Sequence, residues 1–228
     1  MGKLFLKSKE IVIPGELIGE GDFETVGGVY REGKKIYASR VGLLEIEGNL
    51  IKVIPLAGVY IPNKNDLVIG RIVDIGFSGW LVDIGAPYMA NLPVGETLSE
   101  FVDLLKVDLS KFLDVNDLIL ARVINVPKSK MIQLSVKNIT PKKLEGGKII
   151  KITPYKVPRV IGKKGSMINM IKEYTKCNII VGQNGWIWIK GTLTGEIKAT
   201  KAILMIERES HVSGLTKKVK EMLEGALK

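Results

Sequence analysis

Three small domains are predicted in this 228-residue chain: an all-β domain over 1–62, a β-barrel over 63–140 and an α+β domain over 141–228. Two observations set the divisions. Strand-length apolar runs in the first part are punctuated by Gly and Pro, and a polar "PKKLEGGK" stretch at 141–148 reads as a hinge. The third observation is charge. Residues 1–62 carry 8 basic and 8 acidic side chains, 63–140 carry 8 and 9, and 141–228 carry 18 and 7, so the net +10 lies wholly in the last segment. One basic domain beside two neutral ones is an electrostatic footprint for a polyanion.

Within 1–62, "EIVIPGELIGEG" alternates until Pro14-Gly15 stops it, and Gly33, Gly42 and Gly48 separate further strands. From Asp66, "DLVIGRIVDI", "WLVDIG" and "YMANLPV" are strands. "ETLSEFVDLLKVDLSKFL" is helical, with Leu98, Phe101, Val102, Leu104 and Leu105 at helical spacing, and "DLILARVINV" and "KMIQLSV" return to strand around the turn "PKS". A helical insertion between the third and fourth strands fits a Greek-key barrel of the OB type.

The last segment reads β-α-α-β-β-α. "KIIKIT" is a strand, and "PRVIGKKG" is a short helix and loop. "SMINMIKEYTK" is a helix with Ser166 as N-cap and Met167, Ile168, Ile171 and Tyr174 at helical spacing. "CNIIVG" and "GWIWIKG" form a hairpin around "QNG", and "TGEIKATKAILMIERES" is a helix with Ile197, Ala202, Leu204 and Met205 on its stripe. Trp186 and Trp188 alternate onto one face of their strand, either sealing a domain interface or filling the domain's own core.

The composition argues against several classes. A single cysteine, Cys177, cannot build a disulfide framework and fits a reducing compartment as a small buried hydrophobe. No run approaches the roughly 18 apolar residues of a membrane span, and the N-terminal stretch lacks a signal-peptide core, so a cytoplasmic protein without membrane contact is expected. His211 has no second His, and Glu96, Glu100, Asp103, Asp108, Asp114 and Asp117 are spread without a metal-nuclease spacing. No catalytic site, metal or cofactor is expected.

The motif that carries function is "PRVIGKKGSMI" at 158–168. A sugar-phosphate backbone approaches main chain closely where no Cβ intervenes, which suits Gly162 and Gly165. Lys163 and Lys164 add charge, and the following helix presents its positive end. This is a GXXG clamp for a nucleic-acid backbone. A lone GXXG is common by chance; here the β-α-α-β-β-α order and the basic segment surround it.

"VIGKKGSMINMIK" resembles the KH family over about 70 residues, in type I order. The resemblance implies that RNA lies along Gly162, Lys163, Lys164 and Gly165 beside Arg159. Its bases would lie in an apolar groove edged by Val160, Ile161 and Ile168, with Ile179 or Val181 on the strand side. "DLVIGRIVDIGFSGWLVDIG" to "NDLILARVINVPKSKMIQLSVK" is similar to the S-one type of RNA-binding OB fold. It implies base stacking by Phe77 and Trp80 and phosphate contacts by Arg122, Lys128, Lys130 and Lys137; Pro93 stands where that family often has His. On the residues alone, the alternative is that Phe77 and Trp80 are partly core aromatics of a structural barrel.

The three domains in this order, with "VIPGELIGEG" and "GGVYREGKKIYASRVG" near the start, are similar to the KH-bearing cap subunit of the archaeal RNA exosome. That resemblance implies a non-catalytic chain. Three copies would sit on a ring of RNase PH-like subunits, docked by the N-terminal domain, and pass single-stranded RNA to 3′-to-5′ degradation. A transcription elongation or termination factor, or a translation-associated one, is the alternative, since such factors also place an S-one domain before KH units. A stand-alone nuclease would need the acidic cluster or general base that the sequence does not show.

Overall fold

The computed structural model describes residues 2–97, 108–127, 131–210, 212 and 214–225. The chain divides into two compact units, Met1–Gly58 and Val59–Lys228. The division falls after Gly58 rather than after Pro62, and the expected second and third domains lie together in one unit.

The first unit is all β. Strands β1 (Lys3–Leu4), β3 (Leu17–Glu20), β6 (Lys35–Ala38) and β5 (Val29–Glu32) form one four-stranded sheet in the order β1-β3-β6-β5. Strands β2 (Ile11–Val12), β7 (Gly42–Glu47), β8 (Leu50–Pro55) and β4 (Glu24–Val26) form the other, in the order β2-β7-β8-β4. Their inward residues, Val12, Ile18, Ile36, Leu44, Ile51 and Val53, make one core. The β7–β8 turn is the pair Gly48-Asn49, with Gly48 at φ +60°, the left-handed backbone that a two-residue hairpin requires.

The second unit begins with a closed five-stranded barrel. Its strands are β9 (Leu67–Gly76), β10 (Gly79–Asp83), β11 (Ala90–Pro93), β12 (Leu118–Asn125) and β13 (Ile132–Ser135), closing in the order β10-β11-β13-β12-β9. Every neighbouring pair is antiparallel except β11–β13, which is parallel. Alternation places Val68, Ile72, Val82, Ile119, Ala121 and Val123 inside. Most of the helix expected over 96–113, including Leu98, Phe101, Val102, Leu104 and Leu105, lies outside the described residues. The described flanks are short turns at Val94–Glu96 and Leu109–Lys111.

The C-terminal part has β14 (Lys148–Lys151), α1 (Val157–Ile161), α2 (Ser166–Thr175), β15 (Asn178–Val181), β16 (Trp186–Lys190), α3 (Leu193–Arg208) and α4 (Leu215–Gly225). The antiparallel sheet runs β14-β16-β15, and the helices pack on one of its faces through Ile187, Ile189, Ile171 and Ile203. The buried stripe of α3 is Gly195, Ala199, Ala202, Ile203 and Ile206, while Ile197, expected on that stripe, is exposed. Small residues at three of the five positions let this helix sit close to its neighbours: a Cβ on Gly195 would lie 2.6 Å from the Thr175 carbonyl oxygen.

The stretch 141–148 is not a free hinge. The Leu120 N–H donates to the Lys142 carbonyl at 2.9 Å, the Leu144 N–H to that of Leu118 at 2.8 Å, and Leu144 is buried. These bonds lay the segment along β12. Across the same side of the barrel, Ile69 and Leu120 meet Leu144, Trp186 and Trp188 in a single cluster. Both tryptophans therefore seal the seam between barrel and sheet. The Trp188 Nε1 donates to the Gly146 carbonyl at 2.8 Å, and the Lys151 ammonium stands 4.2 Å from the Trp186 ring centroid. Burying roughly 150–250 Å² per ring at about 25 cal/mol/Å² gives about 4–6 kcal/mol of gross stabilisation from each tryptophan.

The turn 182–185 completes the seam. The Asn184 Oδ1 accepts from the Ile69 N–H at 3.3 Å, and its Nδ2 donates to the Ile69 and Ile84 carbonyls at 2.7 and 2.8 Å. The Gln183 N–H donates to the Leu67 carbonyl at 2.8 Å, and its Oε1 accepts from the Leu67 N–H at 2.6 Å. One hairpin turn thus serves as an additional backbone partner for β9.

Candidate nucleic-acid interface

The loop between α1 and α2 is set by its backbone. Gly162 lies at φ +74°, ψ 173°, Lys164 at φ +53°, ψ 31°, and Gly165 at φ +78°, ψ 8°. Three left-handed residues in four turn the chain sharply enough to start α2 beside the end of α1. The Gly165 N–H donates to the Gly162 carbonyl at 3.1 Å, and the Gly162 N–H to that of Pro158 at 2.9 Å. A Cβ on Gly162 would stand 2.8 Å from both the nitrogen and the Cβ of Met167, so glycine is required there by space as well as by φ. Gly165 occupies the N-cap of α2 and Ser166 is the first helical residue, not the cap expected; no side chain caps this helix. Lys164, with a Cβ in the left-handed region, carries strain of about 1–2 kcal/mol. The sequence pattern does not disclose that strain.

Lys163 and Lys164 are exposed and pair with no acidic side chain of a described residue. Arg159 is exposed as well, with Nη2 donating to the Val212 carbonyl at 3.1 Å. The apolar edge is narrower than expected. Val160 (0% exposed) and Ile168 (7%) belong to the core with Met167 and Ile171; they hold the loop and do not line a groove. Ile179 is likewise buried, Val181 is half-buried, and Ile161 alone of the three expected helical residues opens to the surface.

Ile161 opens onto a groove of about 410 Å³ whose second wall the sequence does not suggest. Pro154, Tyr155, Pro158, Ile161 and Gly162 form one wall. Gln183 and the lead-in to the barrel, Tyr60, Asn63 and Asp66, form the other. Asp66 Oδ2 accepts from the Tyr60 hydroxyl at 2.6 Å and from the Asn63 N–H at 3.0 Å, which fixes the carboxylate. Burial, then the Asp66 hydrogen bond, push the Tyr60 hydroxyl pKa far up, so it stays a neutral donor. The Tyr155 hydroxyl donates to the Val59 carbonyl at 3.2 Å and ties α1's approach to the same lead-in.

The described residues of the barrel do not come together as the expected second binding face. Trp80 is fully buried, its Nε1 donating to the Leu113 carbonyl at 2.8 Å; it is a core residue and cannot stack on a base. Alternation turns its neighbour Leu81 outward instead. Phe77 is 71% exposed at the tip of the β9–β10 turn. Arg122 pairs in register with Leu67, at the opposite end of the ten-residue β9, so about 30 Å of strand separates the two at 3.3 Å per residue. Arg122 Nη1 donates to the Asn65 carbonyl at 3.2 Å, and Lys137 is engaged by Glu96 at 3.5 Å. Lys128 and Lys130 lie outside the described residues.

Among the described residues, no group of three or more His, Cys, Asp or Glu side chains could hold a metal ion, and no helix is long and apolar enough to cross a membrane. His211 lies outside the described residues.

The family model described as the exosome RNA binding protein RRP4 N-terminal domain matches residues 9–57, and a KH domain model matches 147–194. The chain is 50% identical over 226 residues to the exosome complex component Rrp4 of Pyrococcus horikoshii, covering 98% of this chain and 85% of that protein. It is 48% identical over 220 residues to Rrp4 of Methanothermus fervidus, covering 96% of this chain and 97% of that protein. A crystal structure of an exosome complex RNA-binding protein superposes with a TM-score of 0.69 at 37% identity, over 75% of this chain and 98% of that one.

Proposed function

Because the chain belongs to the Rrp4 family of exosome complex components, we propose that it is a cap subunit that captures single-stranded RNA and delivers it to a ring of RNase PH-like subunits. The observation that carries this reading is the pairing of a family match over nearly the whole chain with an exposed Gly-Lys-Lys-Gly loop on the basic part of the molecule. The chain itself does no chemistry. RNA approaches the loop because two unpaired ammonium groups and an open main chain await phosphate, and phosphate neutralisation supplies affinity without sequence choice. The N-terminal sandwich, neutral overall, is the protein-docking part. Three copies per ring and a cytoplasmic location complete the proposal.

Two measurements test it. The purified chain, given single-stranded RNA with magnesium or with phosphate, is expected to bind and leave the RNA intact; shortening from the 3′ end by the homogeneous chain overturns the non-catalytic assignment. Tagged chain drawn from native lysate is expected to bring down two RNase PH-like chains in equal amounts. Recovery of RNA polymerase or ribosomal subunits in their place would move the clamp to transcription or translation.

A further inference from the structure

From the outward face of α3 we infer a self-association surface. Two copies of this chain pair through antiparallel α3 helices, each laying Leu193, Ile197, Thr200 and Leu204 on the other. The inference is independent of the RNA-binding reading and gives the chain a second, protein-directed contact.

Helix α3 is apolar on two sides. Its buried stripe is Gly195, Ala199, Ala202, Ile203 and Ile206. At about 100° per residue, Leu193, Ile197, Thr200 and Leu204 fall together on the opposite side. Leu193 is 76% exposed and Ile197 44%, while Leu204 is half-buried. Steps of four, three and four residues make the narrow seam along which two helices interlock. The Thr200 hydroxyl donates to the Glu196 carbonyl at 2.7 Å, so it brings no unmet hydrogen bond to a contact. Exposed aliphatics in one row mark an interaction site, unlike surface hydrophobes scattered singly.

Self-complementarity selects a second copy as the occupant. A two-fold axis between Lys198 and Ala199 sets Leu193 opposite Leu204 of the second copy and Ile197 opposite its Thr200. The same axis sets Glu196 opposite Lys201 of the second copy. Each of these contacts then occurs twice, as an isologous interface requires. Lys201 is exposed and pairs with no acidic side chain of a described residue. Glu196 uses Oε1 on the Gly191 N–H at 3.0 Å, which leaves its other oxygen for a lysine. Beside Leu204, a groove of about 460 Å³ lined by Lys201, Met205, Arg208, Glu209 and Met222 widens the surface that meets Leu193 of the second copy. RNA is a poor occupant of the row, which offers aliphatic side chains and no ring to stack on. The seam is short, about 16 Å of helix, well below an interface of roughly 1,600 Å², so the pair is weak, with Kd on the order of 10–100 µM.

The test is sedimentation equilibrium of the full chain from about 5 to 300 µM, bracketing that Kd. The protein is first freed of RNA with nuclease, so that no polyanion bridges two basic chains. The parent is expected to show a monomer–dimer equilibrium that holds or tightens between about 50 and 400 mM salt, because the seam is apolar and two chains of net charge +10 repel. Ile197→Asp should weaken the pair at least about tenfold by placing a carboxylate in the seam. Lys201→Glu and Glu196→Lys should each weaken it about tenfold by setting like charges opposite one another. An equal mixture of those two variants should recover the parent's affinity, since each copy then supplies the charge that the other lacks. All three positions lie outside the buried stripe, and circular dichroism checks the fold. A parent that stays monomeric over the whole range overturns the inference, as does a dimer that survives Ile197→Asp. A mixture of the two charge variants that associates no more tightly than either alone overturns the antiparallel register, and the pairing with it.

Discussion

Reversing the charge of the clamp without touching its shape is the sharpest perturbation. Lys163→Asp with Lys164→Asp leaves both glycines in place, whereas Asp at Gly162 would push a Cβ to 2.8 Å from Met167 and confound binding with folding. Position 164 sits at φ +53°, a region in which Asp is among the better-tolerated residues, and both lysines are exposed, so stability should hold within about 0.5 kcal/mol. Each lysine–phosphate contact on single-stranded nucleic acid contributes about 0.7 to the slope of log K against log salt. Losing two lowers the slope by about 1.4, which at 0.1 M salt is about 25-fold in affinity, or about 1.9 kcal/mol; the new repulsion adds to that. Fluorescence anisotropy of a labelled single-stranded RNA between 50 and 400 mM salt reads both numbers. An affinity within threefold of the parent, with an unchanged slope, would refute the loop as the phosphate site.

Phe77→Ala should leave the melting temperature alone, since the ring is 71% exposed, and any loss of RNA affinity of about 1–3 kcal/mol would identify it as a stacking residue of the barrel. Trp80→Ala should behave oppositely, costing about 3–5 kcal/mol in denaturant titration through the cavity and the orphaned Leu113 carbonyl. Asn184→Ala removes three hydrogen bonds at a buried seam and should cost about 2–4 kcal/mol. Urea titration followed by tryptophan fluorescence reports it, because Trp186 and Trp188 line the same seam.

Much of this architecture is legible in the sequence because it rests on local rules. Alternation with glycine punctuation marks the strands of the sandwich and barrel, and the Gly-Lys-Lys-Gly spacing marks the loop. The failures share a cause. Trp80 and Phe77 are three apart in a turn-and-strand stretch, and only the register of β10 decides that one ring points inward and the other to solvent. Val160 and Ile168 sit at groove-edge positions of the motif, yet their Cβ directions are set by how α1 and α2 pack on α3. The groove wall was invisible for a related reason: Asp66 and Gln183 are more than a hundred residues apart and meet only because the 182–185 turn pairs with β9. Trp186 and Trp188 are the partial success, since alternation gives their common face and only the fold shows that the barrel covers it.

That covered face has a consequence for how RNA length is felt. With tryptophans, Asn184 and the 141–148 segment binding barrel and KH part into one body, the distance between the loop and the exposed Phe77 tip is a constant of the molecule. Should the Phe77→Ala measurement identify that ring as a second contact, a strand held at the loop meets it at an effective concentration set by its own reach alone, with no protein linker to average it. Affinity against oligonucleotide length should therefore rise in one step, at the length that first spans the two points. The fold would act as a ruler that releases short fragments and retains longer ones.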